Sequence, residues 1–181
     1  FTKNNSCHTA LTHLIDTWLK DVDSGNYVGA VFLDLHKAFD LVDHEILIHK
    51  LKLYHFSDFA VKLFKSYLSN RKQLIKVKNL KSDILSIKSG VPQGSILGPL
   101  LFLLYMNDIA YISTTGSTDL YADDTTICET SCDLIKIQTQ LQIRLNLINK
   151  WCAQNNMSIH PAKTKCMVIS TNYKLKIKKE L

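Results

Sequence analysis

The spacing of apolar residues divides the chain into segments with helical and with strand-like patterns. Residues 10–22 carry apolar side chains every three or four positions, which predicts an amphipathic helix that ends at Ser24-Gly25. An unbroken apolar run follows and predicts a buried strand over residues 27–34. Helical spacing returns at residues 43–53 and 57–68, so two further helices are expected there.

The second half of the chain predicts a mixture of strands and helices. Residues 73–77 and 84–88 alternate like strands around a polar turn at 79–82. Next come a helix from about Leu100, short strands at 118–122 and 125–128, a long amphipathic helix that reaches Trp151, and a strand near 166–170. Interleaved strands and helices with an antiparallel hairpin predict an α+β fold, with helices packed on one face of an antiparallel sheet.

Size and composition limit the class of protein. The chain has 181 residues, of which 46% are hydrophobic, and one domain over residues 1–181 is expected. It has no apolar stretch that could cross a bilayer and no signal-peptide pattern, so no membrane partner is expected. An odd number of cysteines without such a signal predicts reduced thiols in an intracellular protein, nuclear or cytoplasmic and not secreted. Cys128 and Cys132 lack the second pair of ligands that zinc would need.

The first candidate for chemistry is the pair of adjacent carboxylates Asp123 and Asp124. Strand-like segments flank them on both sides, which places them at the tip of a hairpin. Two adjacent negative charges repel each other, so such a pair lies either on a solvated turn or around a cation that neutralises both. The pair alone does not favour either interpretation.

A third carboxylate, Asp34, ends the apolar run that predicts the first strand. It can cap the segment that follows, or it can meet Asp123 and Asp124 from a neighbouring strand around a divalent metal. Mg²⁺ prefers hard oxygen ligands and is usually held by one or two carboxylates plus substrate phosphates. Carboxylates on two adjacent strands therefore suit a two-metal site for phosphoryl or nucleotidyl transfer.

Between these acidic positions lies a loop, Ser89 to Pro99, that holds three of the six glycines and two of the three prolines. Pro92 favours an extended residue before it, and Gly94 allows the backbone to approach a ligand closely. The loop can equally be a simple lead into a helix that has Pro99 in its first turn. That alternative leaves Gln93 unexplained.

Four segments stand out in order along the chain: Phe32 to Asp40 with Val42-Asp43-His44, Ser89 to Ile109, the YADD motif Tyr121 to Asp124, and Trp151 and Asn155 with Pro161 to Lys165. In this order they resemble motifs of reverse transcriptases, specifically those of non-LTR (LINE-like) retrotransposons. The resemblance covers nearly the whole chain and is specific because order and spacing both fit. It implies an RNA-directed DNA polymerase, a nucleotidyltransferase, with the polymerase palm and part of the fingers.

The resemblance also implies roles for the acidic residues. Asp34 and Asp123 would bind two catalytic ions, Mg²⁺ or Mn²⁺, and Asp124 would be a weaker ligand. The backbone carbonyl of Leu35 would be a further ligand to the ion on the nucleotide side. A primer 3′-hydroxyl, activated on one metal, would then attack the α-phosphate of a deoxynucleoside triphosphate held on the other.

Further residues would contact the nucleotide. The resemblance implies that Phe39 lies under the incoming sugar and that Gln93 and Gly94 line the deoxynucleotide pocket. Lys163 matches a lysine proposed in related polymerases as general acid toward the pyrophosphate, with Lys165 as the alternative. A lysine beside a triphosphate is favourable in either role.

The charge distribution indicates the expected partners. A net charge of +6 comes with basic clusters over residues 62–81 and 163–179. Solvated helix faces and strand edges would explain any single lysine, whereas the clusters together suit the phosphate backbones of an RNA template and a DNA primer. The oligomeric state cannot be predicted.

Departures from the family motifs leave two alternatives open. Only Lys3 is basic where relatives carry a triphosphate-binding residue, and the chain opens at Phe1 and ends soon after the Lys163 motif, so a partial domain without a thumb is expected. It could be a non-catalytic nucleic-acid-binding remnant. The pair Ala38-Phe39 and the Pro-Gln-Gly loop argue against a further alternative, an RNA-directed RNA polymerase.

Overall fold

A computed structural model describes residues 6–113 and 115–171, which form two compact units. The sheet unit contains the described parts of residues 1–34, 110–150 and 159–181, and the helical unit contains residues 35–109 and 151–158. A single partial domain over residues 1–181 stays a prediction, because two compact units can belong to one domain.

The helices are α1 (Cys7–Asp23), α2 (His44–Leu53), α3 (Asp58–Leu68), α4 (Leu97–Met106) and α5 (Leu134–Gln154), and a 3-10 helix covers Asn107–Tyr111. The strands are β1 (Tyr27–Leu33), β2 (Lys72–Gln73), β3 (Lys76–Val77), β4 (Leu80–Lys81), β5 (Leu85–Ser86), β6 (Ser117–Tyr121), β7 (Asp124–Ser131) and β8 (Lys165–Ile169). The predicted helices and the strands at 27–34, 118–128 and 166–170 are confirmed to within a few residues.

Side-chain caps set where three of these helices begin. Ser6 and Thr9 form a reciprocal capping box, so α1 starts before the first apolar residue of its periodic pattern. The Asp43 carboxylate accepts from two backbone N–H groups of the first turn of α2, and the Ser57 hydroxyl caps α3 in the same way. These caps satisfy backbone donors that have no partner within the helix.

The sheet unit is built on a four-stranded antiparallel sheet in the order β6-β7-β1-β8. The central strand β1 pairs with β7 on one side and with β8 on the other, and all but one of its residues are buried. An all-apolar strand fits this position because both of its faces are covered. The coarse prediction of an α+β fold is therefore confirmed.

The prediction that helices pack on one face of the sheet was wrong, because helices lie on both faces of β1. Trp18 of α1 packs against Val28 and Ala30 on one face. On the other face Gly29 lies under α5, so close that a Cβ at this position would overlap Ile137. Residues of a strand alternate between faces, and the unbroken apolar run of β1 was itself the sign that both faces are covered.

The helical unit differs from prediction between α3 and α4. Two separate two-stranded ladders form, β2 with β5 and β3 with β4, and the turn lies at Lys78-Asn79 rather than at 79–82. Lys78 takes the positive φ of the turn. Ser82, expected in the turn, is instead bonded to Ile75 through both its backbone N–H and its hydroxyl. The polar run therefore contains the return strand as well as the turn.

A buried lysine joins three segments of the helical unit. Lys50 of α2 donates to the Tyr105 carbonyl and to the Asp108 carboxylate, each at 2.7 Å. Trp151, near the end of α5, donates to the same Asp108 oxygen at 3.2 Å. Burial lowers the pKa of Lys50, and the bond to Asp108 opposes this effect. The buried ammonium group is paired with a carboxylate whose side chain is 40% exposed, so the charge of Lys50 keeps a partner at the edge of the core.

Candidate active site

The two adjacent aspartates lie at the tip of a tight hairpin, as predicted. Strands β6 and β7 pair up to Tyr121 and Asp124, so only Ala122 and Asp123 form the turn. Ala122 has φ +56°, a left-handed conformation that favours glycine over alanine. Both carboxylates are exposed, and Asp124 is already the first residue of β7.

Asp34 lies beside this hairpin because of the strand register. Leu33, the last residue of β1, pairs with Thr125 of β7, so the next position along each strand brings Asp34 to Asp124. A turn rather than an α-helix follows Asp34, which removes the capping interpretation. The Asp34 carbonyl accepts from the His160 backbone N–H at 2.8 Å and fixes the end of the strand.

The three carboxylates interact electrostatically. Partial desolvation of the exposed Asp124 carboxylate raises its pKa, and the charges of Asp123 and Asp34 raise it further. Each negative charge therefore works against its neighbours in the absence of a cation. The sheet unit thus brings together the three acidic residues that the sequence singled out.

Lys163 forms an ion pair with this group. Its ammonium nitrogen lies 3.6 Å from Asp34 Oδ2, and its backbone N–H donates to the His160 carbonyl in a short turn after Pro161. Lys165, the alternative, instead donates to the Ala162 carbonyl at 3.3 Å. The geometry therefore favours Lys163 over Lys165 as the lysine of this site.

The acidic residues can bind a hard divalent cation only at an open site, where other groups supply the remaining ligands. Within residues 6–113 and 115–171 no three His, Cys, Asp or Glu side chains approach closely enough to form a closed metal site. Mg²⁺ needs only one or two carboxylates when phosphates and water supply the other ligands. The exposed carboxylates of Asp123 and Asp124 and the partly exposed carboxylate of Asp34 meet that requirement. The ligand role of the Leu35 carbonyl stays a prediction; the Leu35 side chain is buried.

The repulsion among Asp34, Asp123 and Asp124 leads to a prediction about thermal stability. Asp124→Asn removes one of three mutually repelling charges, so we expect the metal-free chain to melt at a higher temperature, by about 1–3 °C. Thermal unfolding in EDTA, followed by circular dichroism, measures the change. Asp16→Asn, at an exposed position of α1 on the same unit, is the matched control and should not raise the melting temperature. A lower melting temperature for Asp124→Asn would contradict electrostatic strain at this site.

The residues that are predicted to contact the nucleotide lie in the helical unit, on two segments that are joined by hydrogen bonds. Phe39 stacks on Phe102 with ring centroids 4.1 Å apart and is half-buried. Its carbonyl accepts from the Val91 N–H at 2.9 Å, which ties it to the Gly/Pro loop. In that loop Gln93 is exposed, and Gly94 has φ +79° with open space where a Cβ would be. The unit therefore brings Phe39 and Gln93 together.

Comparison with known proteins agrees with this geometry. The profile of the family described as reverse transcriptase (RNA-dependent DNA polymerase) matches residues 1–178. The chain belongs to this family. The resemblance to reverse transcriptases of non-LTR retrotransposons is thereby confirmed, with relatives from several mobile elements.

Two curated relatives of this reverse transcriptase chain come from flies. A probable RNA-directed DNA polymerase from transposon BS of Drosophila melanogaster is 32% identical over 91% of the chain, and the RNA-directed DNA polymerase from mobile element jockey of Drosophila funebris is 31% identical over 84%. The chain spans only 18% and 17% of the length of these relatives. It therefore corresponds to one part of much longer proteins.

Solved structures support the fold of the reverse transcriptase chain. Telomerase of Candida tropicalis in complex with a fragment of telomeric RNA has a TM-score of 0.66 at 14% identity, and matches 93% of the chain and 30% of its own length. The apo enzyme truncated from its C-terminal domain has a TM-score of 0.68 at 14% identity, and matches 93% of the chain and 36% of its own length. At this identity the likeness shows the fold alone.

Sequence reasoning missed two pairs of interacting residues, one in each unit. Asp40 accepts a hydrogen bond from Gln93, and a buried Arg144–Glu129 ion pair lies behind the aspartate hairpin. The sequence gives no sign of the hydrogen bond to Asp40, because an aspartate in a turn is ordinary. It does give a sign of the ion pair, since Arg144 interrupts the apolar face of α5 at the spacing of Leu141 and Ile148.

Two remaining predictions concern membrane spans and the state of the cysteines. No helix in the described part of the chain is long and apolar enough to span a bilayer. All five cysteines are free thiols, two of them buried. Lys3 lies outside the described residues, and so does most of the second basic cluster.

Proposed function

We propose that the chain is the catalytic core of an RNA-directed DNA polymerase of a non-LTR retrotransposon, the palm with part of the fingers. The observation that carries the proposal is the meeting of Asp34 with Asp123 and Asp124 on adjacent strands of a reverse transcriptase fold, with Lys163 beside them. Two divalent ions bound there would neutralise the carboxylates and polarise the reacting phosphate.

The residues of the sheet unit would have separate tasks. Asp34 and Asp123 would hold the ions, and Asp124 would contribute negative charge and a weaker contact. Lys163, a mobile cation at the edge of the acidic group, would stabilise the pyrophosphate that leaves and donate a proton to it. Its exposed side chain can reach from Asp34 to a phosphate without rearrangement of the backbone.

The helical unit would supply the contacts to sugar and base. Stacking on Phe102 restricts the Phe39 ring, and a restricted ring can exclude a 2′-hydroxyl from the sugar position. Gln93 presents an amide from a bonded loop, and Gly94 leaves open space beside it. These features support a deoxynucleotide pocket that includes Phe39, Gln93 and Gly94.

Sugar selection leads to a direct prediction. In a complete polymerase that carries this chain, Phe39→Ala or Phe39→Val should raise ribonucleotide incorporation relative to deoxynucleotide by about ten- to hundredfold, because the overlap with the 2′-hydroxyl is relieved. Single-nucleotide extension with each sugar measures the ratio. Phe59→Ala, at an exposed position on α3, is the matched control. An unchanged ratio in a folded, active Phe39 variant would place the sugar selection elsewhere.

A basic hairpin supports nucleic acid as the partner. The β3–β4 ladder pairs Lys76 directly with Lys81, and Lys78 occupies the turn between them. Like charges directly opposite each other destabilise a ladder, and neither paired lysine forms an ion pair with a described residue. A phosphate backbone would neutralise this charge. The hairpin is therefore proposed to contact the template or the primer.

Binding of RNA by the 181-residue chain tests this contact. Lys76→Ala with Lys81→Ala should lower RNA affinity several-fold and reduce the slope of log K against log salt by about 1.5–2, since two phosphate contacts are lost. Fluorescence anisotropy at several salt concentrations gives the slope. Lys136→Ala with Lys150→Ala, both on α5, is the control with equal charge. Equal slopes for the two double variants would contradict a hairpin contact.

Primer extension tests the proposed function as a whole. A complete polymerase containing this chain is given RNA or DNA templates with deoxynucleotides or ribonucleotides. We expect extension of a DNA primer on RNA with deoxynucleotides. Ribonucleotide products would favour an RNA-directed RNA polymerase, and binding without extension would favour a non-catalytic remnant. The isolated 181 residues should give little processive synthesis.

A further inference from the structure

Asp40 lies at a junction where hydrogen bonds join two loops of the helical unit. On one side of it the Val91 N–H donates to the Phe39 carbonyl at 2.9 Å, and on the other side the Gly90 N–H donates to the Val42 carbonyl at 2.7 Å. The Asp40 carbonyl itself accepts from the Ser89 hydroxyl at 3.1 Å. The backbone of Asp40 is therefore fixed against the Gly/Pro loop.

The close approach requires a glycine opposite Asp40. Gly90 has φ +87°, and a Cβ at this position would lie 2.8 Å from the Asp40 carbonyl oxygen and 2.9 Å from its Cα. Beyond Gln93 the loop is fixed again, because the Ser95 hydroxyl donates to the Pro92 carbonyl at 2.7 Å. Gln93 thus projects from a segment whose backbone is fixed on both sides.

The side chains of Asp40 and Gln93 meet across this junction. Gln93 Nε2 donates to Asp40 Oδ1 at 2.9 Å. A carboxylate only accepts hydrogen bonds, so it selects the amide orientation in which the nitrogen faces Asp40. The carbonyl oxygen and the second N–H of Gln93 then remain available to a ligand in one defined arrangement. Both side chains are exposed, so a nucleotide can reach the amide.

We infer that Asp40 is a positioning residue that holds the Gln93 amide in a single orientation for the incoming nucleotide. The inference rests on the proposed function, because the nucleotide contact of Gln93 comes from the family resemblance. Asp40 acts through Gln93 and does not itself touch the reacting atoms. Loss of Asp40 therefore affects nucleotide binding only while Gln93 is present.

The orientation can be tested on the 181-residue chain without any polymerase activity. NMR of the Gln93 side-chain amide should show one proton shifted downfield and protected from exchange in the unmodified chain, and both effects should be lost in Asp40→Ala. Asp58→Ala, which removes an exposed carboxylate from α3, is the matched control and should leave the resonances unchanged. Identical Gln93 resonances in the unmodified chain and in Asp40→Ala would overturn the inference.

A double-mutant cycle in a complete polymerase tests the consequence for substrate. Asp40→Ala should raise KM for the deoxynucleotide about tenfold with kcat within about twofold, and it should add nothing in a Gln93→Ala background. Equal effects of Asp40→Ala in both backgrounds would overturn the inference. If the unmodified polymerase extends no primer, the proposed function fails, and the NMR measurement alone decides whether Asp40 orients Gln93.

Discussion

Asp123→Asn should reduce primer extension by a complete polymerase about a hundredfold or more while the fold stays intact. Asparagine keeps the shape of the hairpin tip but removes the charge that would hold a divalent ion beside Asp34. Single-turnover extension measures the rate, and circular dichroism checks the fold. Activity within tenfold of the unmodified enzyme would remove Asp123 from the catalytic site.

The same hairpin offers a control for this substitution. Asp119 lies on β6, and its carboxylate accepts a hydrogen bond from the Ser117 hydroxyl at 3.4 Å. Asp119→Asn also removes one negative charge from the hairpin, but not from its tip. We expect this variant to keep activity within about threefold, so a comparable loss in both variants would indicate a general effect of hairpin charge.

Arg144→Met should lower the free energy of unfolding by about 3–5 kcal/mol, the largest stability effect that we expect in the sheet unit. Arg144 donates to Glu129 at 3.1 Å, and both side chains are at least nine-tenths buried. It also donates to the Cys128 carbonyl at 2.8 Å and to the Ser117 carbonyl at 2.7 Å, one on each strand of the aspartate hairpin. Methionine fills a similar volume but leaves the Glu129 charge buried without its partner.

Urea unfolding of three variants tests this prediction. Lys136→Met removes an exposed cation from the same helix and should change stability by less than about 0.5 kcal/mol. Adding Glu129→Met to Arg144→Met removes the unpaired charge and should recover a large part of the loss. A cost below about 1 kcal/mol for Arg144→Met would show that Arg144 does not stabilise the hairpin. No recovery in the double variant would show that the loss does not come from the unpaired Glu129 charge.

Local patterns predicted the elements of the fold, whereas contacts between distant segments were only partly accessible. The apolar run of β1 and the periodic pattern of α1 identified both elements because their burial is encoded in consecutive residues. The same run also encodes the covering of β1 on both faces, whereas the prediction placed helices on one face only. The turn at Lys78-Asn79 was misplaced because Ser82, a residue typical of turns, bonds to a strand instead.

The candidate site could be predicted where each residue lies in a specific motif. Asp34, Asp123 and Lys163 lie far apart in sequence, and strand register and a short turn bring them together. The hydrogen bond of Asp40 to Gln93 joins positions 53 residues apart. Gln93 stands out in its loop, but nothing in the sequence names Asp40 as its partner, so only the folded chain reveals this contact.

Binding of Mn²⁺ to the 181-residue chain, measured by electron paramagnetic resonance, tests the central claim that Asp34 and Asp123 form one cation site. We expect the unmodified chain and Asp119→Asn to bind Mn²⁺ with equal affinity. We expect Asp34→Asn and Asp123→Asn each to weaken binding about tenfold or more, because each removes one of two charged oxygen ligands. Equal affinity of all four proteins for Mn²⁺ would contradict the assignment.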